Sequence, residues 1–160
     1  MIRSAIAAGA LACAALGLSV GTAGADTAPG PYIVNGTAYF NVGGRNCSIT
    51  ANGVAGCDVS PTAVMMDMMV GGIQVPTPYV PSVVVGDMPN MPGHPGWFSG
   101  SHAGPNGNPA LPNLTGGPYG SPQQAITYAG ATCRLEYRGA VDCQSGGHQF
   151  IFNSGQISGT

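Results

Sequence analysis

Two cysteine pairs constrain this chain more than anything else in it. Cys47 and Cys57, and again Cys133 and Cys143, are separated by nine residues, with a glycine six places after the first cysteine. A three-residue hairpin loop favours glycine at its last position, where φ is positive. Taking Tyr137-Arg138-Gly139 as such a loop sets a register. Leu135 faces Val141, Arg134 faces Asp142 and Cys133 faces Cys143. Alternation then puts both cysteines with Leu135 and Val141 on one apolar face. Arg134, Glu136 and Asp142 take the other face, with opposite charges across the ladder. The same count upstream, with Ala51-Asn52-Gly53 as loop, sets Ile49 against Ala55 and Cys47 against Cys57.

Facing positions bring Cα atoms to roughly 4.5–5.5 Å, a separation a disulfide tolerates. Local bridges Cys47–Cys57 and Cys133–Cys143 are therefore expected, each contributing about 2–3 kcal/mol. Free buried thiols or two long-range bridges are the alternatives, since four cysteines allow three connectivities.

Disulfides imply an oxidising compartment, and the N-terminus agrees. Arg3 precedes an apolar run, Ala5 to Val20, and Ala23-Gly24-Ala25 reads as a small-residue cleavage site. Residues 1–25 are expected to be a signal peptide, with Cys13 removed inside it and the mature chain starting at Asp26. A retained anchor is the alternative, but the run is short and no basic flank follows it. The mature 26–160 stretch is one domain's length. It has no lysine, three arginines and six acidic residues, which offers nothing to nucleic acid or to anionic lipid.

Along the chain, Tyr32 to Val42 reads as strand, broken by the Asn35-Gly36 turn signal. Ala63 to Val70, AVMMDMMV, fits either a two-turn helix or a buried strand. Ile73 to Val75 and Ser82 to Val85 read as short strands separated by Pro76, Pro78 and Pro81. Residues 86–122 carry nine glycines and eight prolines, and no regular element is expected there. Gln124 to Tyr128, the second hairpin and His148 to Asn153 complete the strands, and the tail after them is short and polar. The expectation is a small all-β domain of antiparallel hairpins with a long Gly/Pro-rich irregular insertion.

Phe40 to Val59 carries a Cys-x-Ile lead and a Gly-Val-x-x-Cys-Asp-Val close. Tyr128 to Phe152 carries Tyr-x-Gly-x-x-Cys, Arg-Gly-x-x-x-Cys and Gly-His-x-Phe. Together these resemble a group of small secreted or lipid-anchored actinobacterial proteins of unknown function. The resemblance covers about a third of the mature chain. It implies export and the paired hairpins, and it lends no activity.

Three constellations bear on chemistry. His148 could act as a general base, with Asp142 as orienter and a serine as nucleophile, in a small hydrolase. No Gly-x-Ser-x-Gly elbow accompanies it, and the plainer reading is a histidine at a strand entry, capping backbone groups after the Gly146-Gly147 turn. Met65, Met66, Met68, Met69, Met88 and Met91, followed by His94 and His102, offer thioether and imidazole donors suited to Cu(I). The plainer reading is methionine filling an irregular core, and the histidine spacing does not resemble a zinc site. Trp97-Phe98 could anchor a partner or glycan from a loop, or could fold back to cover a sheet edge.

With all four mature cysteines bridged, no cysteine nucleophile remains. No phosphate loop, dinucleotide fingerprint or metalloprotease helix occurs, so no cofactor is expected. Six carboxylates and three histidines leave little material for acid–base work. The expected function is binding, in or near the cell envelope, to an envelope component or secreted partner, through Trp97, Phe98 and the exposed hairpin faces. No membrane span is expected once the signal is removed.

Overall fold

A computed structural model describes residues 29–59, 64–114, 123–153 and 156–160. The expected signal segment, with Cys13 and the cleavage point before Asp26, lies outside the described residues, as do 115–122 of the Gly/Pro-rich stretch. The described residues form thirteen strands and no α-helix. In chain order these are β1 (Ile33–Val34), β2 (Thr37–Val42), β3 (Arg45–Thr50), β4 (Ala55–Asp58), β5 (Val64–Val70), β6 (Ile73–Val80) and β7 (Ser82–Val85). They continue with β8 (His94–Pro95), β9 (Ala125–Tyr128), β10 (Ala131–Leu135), β11 (Val141–Ser145), β12 (His148–Asn153) and β13 (Gln156–Gly159).

Both hairpins have the expected registers. Cys133 faces Cys143, Arg134 faces Asp142 and Leu135 faces Val141; Cys47 faces Cys57 and Ile49 faces Ala55. The loop glycines hold φ of 77° at Gly53 and 77° at Gly139. Disulfides join Cys47 to Cys57 and Cys133 to Cys143.

The hairpins seed two different sheets. One runs β1-β2-β3-β4-β7-β8, the other β6-β5-β13-β12-β11-β10-β9. Their apolar faces meet as a sandwich. From the first come Ala38, Phe40, Val42, Ile49 and Val83; from the second, Ile126, Val141, Phe150, Phe152 and Ile157, all buried. Each such large side chain contributes about 1.5–3 kcal/mol relative to exposure. The two disulfides lie at the centre, where Cys57 Sγ is 3.9 Å from Cys143 Sγ.

One choice left open by the sequence is decided and three expectations are revised. Residues 64–70 are a strand and not a helix, because β13 pairs with them in parallel, Ile157 facing Met66. The polar tail is itself that strand, and it lies between β12 and β5. β6 runs through Pro76 and Pro78. It is the outermost strand of its sheet, where a missing N–H costs no ladder bond if it would have pointed to solvent. Finally, the Gly/Pro-rich stretch holds a regular element, β8, whose His94 faces Val84 and Pro95 faces Val83.

That stretch is bound to the sandwich by long-range polar contacts. The Asn108 amide donates to the Phe40, Cys47 and His102 carbonyls, each at 2.9 Å, and accepts from the Gly104 N–H. Ala110 bridges in parallel to Asn41, covering the edge of β2 beyond the reach of β1, with Leu111 buried beneath. Edge cover therefore comes from residues 109–111, and not from Trp97-Phe98.

Candidate functional site

The outward face of the first sheet is not bare. Residues 96–102 cross it as a strap, tied at both ends. At one end the Gly96 N–H donates to the Ser82 carbonyl at 2.7 Å, and Ser82 Oγ donates to the Gly96 carbonyl at 2.6 Å. At the other, the Asp58 carboxylate accepts from Ser101 Oγ at 3.0 Å and from the His102 N–H at 2.9 Å.

His102 is buried, with Nδ1 2.8 Å from Ser48 Oγ. Its ring fills the space over Gly56, where any Cβ would collide with it. Nε2 is buried there without a hydrogen-bond partner. Burial pushes the imidazole below its ordinary value of 6.5, and the charge of Asp58 opposes part of that shift.

Between the strap's anchors stand Trp97, 53% exposed, and Phe98, 99% exposed. They rim a groove of about 790 Å³, within the range of ligand pockets. Its floor is the outward face of β2 and β3, including Thr37, Tyr39 and Thr50. Its apolar walls come from Met68 and Val70 on the β5–β6 hairpin and from Met88 and Met91 after β7. No lysine or arginine lines it, and its carboxylate is Asp87. His94 Nε2 lies 2.9 Å from Asp87 Oδ1, and its Nδ1 lies 3.1 Å from the Pro95 carbonyl oxygen.

The methionine run is divided by strand alternation. Met66 is in the core, Met65 and Met69 are exposed on the opposite face, and Met68 reaches the groove. Met88, Met91, His94 and His102 line the same groove. Both nitrogens of His94 are engaged, and the free nitrogen of His102 faces Gly56. Among the described residues, no group of three or more His, Cys, Asp or Glu side chains converges as a metal site would require.

His148 starts β12 opposite Ser145, and Ser145 Oγ donates to the Gly53 carbonyl at 2.6 Å. Asp142 faces Ile151, so alternation puts it on the other side of the sheet from His148 and Phe150. Its Oδ2 accepts from Arg134 Nη2 at 2.7 Å and from Gln144 Nε2 at 2.9 Å. The two residues the hydrolase reading needs together are thus apart.

Trp97, Phe98, His94, His102 and the three lining methionines Met68, Met88 and Met91 were legible in the sequence, but the floor residues and the Ser48–Gly56–Asp58 seat were not. Only the bare periodicity of β2, with Thr37 and Tyr39 out and Ala38 and Phe40 in, hinted at an outward polar face. No family model, curated protein or solved structure matches this chain. Among the described residues no helix is long and apolar enough to cross a membrane, and the two disulfides are consistent with an oxidising or extracellular environment.

Proposed function

We propose that this chain is an exported binding module of the cell envelope or extracellular space, and that its contact surface is the groove rimmed by Trp97 and Phe98. One observation carries this reading: a phenyl ring left 99% exposed beside a half-exposed indole at the mouth of an apolar groove. A monomeric surface gains nothing from such exposure, and clustered exposed apolar area commonly marks a contact site. The leader-like N-terminus and the bridged cysteines support export.

The reading is tested with a Trp97→Ala/Phe98→Ala variant, followed by envelope retention in fractionated cells. Retention should fall by about tenfold or more, the loss expected for removing an aromatic anchor pair, at unchanged melting temperature. Retention equal to the parent would remove this surface from the function.

Copper handling is the weaker alternative. Met68, Met88 and Met91 share the groove, but both nitrogens of His94 are engaged and the free Nε2 of His102 is turned onto Gly56.

A further inference from the structure

Resting on that reading, we infer that the groove takes a neutral amphiphile, a hydrocarbon chain with an uncharged, hydroxyl-bearing head, and not an anionic lipid, a peptide or a glycan. Four observations lead there.

The first is the division of the lining. Thioether and aliphatic side chains come from β5 and the segment after β7, Met68, Val70, Met88 and Met91; hydroxyl and amide side chains come from β2, β3 and the loop after it, Thr37, Tyr39, Thr50 and Asn52. Such a surface matches a molecule with an apolar body and a neutral hydrogen-bonding end. Methionine side chains adapt to a flexible chain at little cost.

The second is charge. An anionic head would meet the Asp87 carboxylate, whose partner is His94 Nε2 at 2.9 Å, and no lysine or arginine lines the groove to receive it.

The third is continuity. The inward face of the β5–β6 hairpin begins in the core at Met66 and Thr77. It runs outward through the Met68–Val75 pair to the Val70–Ile73 pair, where Ile73 is 68% exposed. This is an apolar track from the core to solvent, the shape a chain needs and a compact sugar ring does not use.

The fourth counts against a peptide that would add as a strand to the neighbouring edge. A bound peptide brings N–H and C=O groups that must be paired. β6, the free edge of this hairpin, lacks two backbone donors at Pro76 and Pro78.

Trp97 is the sole tryptophan, so its emission reports on the groove directly. The purified protein is titrated with monocaprin, decanoate, decyltrimethylammonium and maltohexaose at about pH 8, where carboxylates are ionised, each amphiphile below its micelle concentration. Monocaprin should give a saturable blue shift, with decanoate at least about tenfold weaker. Val70→Ser, at an exposed position, should weaken monocaprin by about fivefold or more without altering the melting temperature. Asp87→Asn should narrow the gap between monocaprin and decanoate.

Decanoate or decyltrimethylammonium binding as tightly as monocaprin overturns the inference, as does a saturable response to maltohexaose with none to monocaprin. If no amphiphile binds while the Trp97→Ala/Phe98→Ala variant still loses envelope retention, the ligand class is wrong and the binding surface stands.

Discussion

At the scale of single residues, Gly56 is small because the His102 imidazole occupies the place where a side chain would be. The ring in turn holds the strap that carries Trp97 and Phe98. The seat favours the neutral imidazole of His102: burial lowers its proton affinity, and Asp58 is the carboxylate that opposes the shift. The folded-state value lies below the free value. The seat therefore stabilises fully above about pH 6.5, and that contribution is lost as pH falls below it. Urea denaturation at a series of pH values between about 8 and 5 should show the parent losing stability more steeply than His102→Gln. Parallel curves would remove His102 from the pH response. Gly56→Ala should destabilise by about 1–3 kcal/mol through overpacking and should flatten the same pH dependence. The sequence marked His102 only as a soft donor eight places from His94. The seat joins residues more than forty positions apart, and no local pattern records that.

At the scale of elements, β13 decides how the second sheet is assembled. Ile157 is fully buried and pairs with Phe152 on one side and Met66 on the other. Without β13, the β5–β6 hairpin would have no hydrogen-bonded neighbour within its sheet. A chain ending at Asn153 should be less stable by more than about 3 kcal/mol, from the lost Ile157 burial and the lost ladder bonds. Limited proteolysis should then cut first within residues 64–80. Unchanged stability and cleavage elsewhere would show that the hairpin holds without this strand. The segment reads as a polar tail because Gln156 and Ser158 face outward and Gly159 offers no apolar signal. With Ile157 alone to place it, four residues are too few for a period to emerge.

At the scale of the whole molecule, the two disulfides bring the sheets together at one point. Each closes a hairpin in its own sheet, yet Cys57 and Cys143 touch across the core. Removing one pair by Cys→Ala should cost about 2–5 kcal/mol. Removing both should depart from the sum by about 0.5–3 kcal/mol, as for residues in direct contact. A double-mutant cycle by urea denaturation measures this, and strict additivity would mean that the contact carries no energy.

What the sequence by itself determined is local. Loop length and a glycine at positive φ set each hairpin's register, and register set which cysteines meet and which residues face inward. Those relations follow from the stereochemistry of about eleven consecutive residues. Only the tertiary structure decided the rest: the order of strands in two sheets, the parallel partner of β5, the strap over the outward face and the groove beneath it. These rest on side-chain contacts such as Asn108 with Phe40 and Cys47, or His102 with Ser48. Such contacts form only after collapse has brought distant segments within hydrogen-bond reach, so they leave no spacing in the chain to be read.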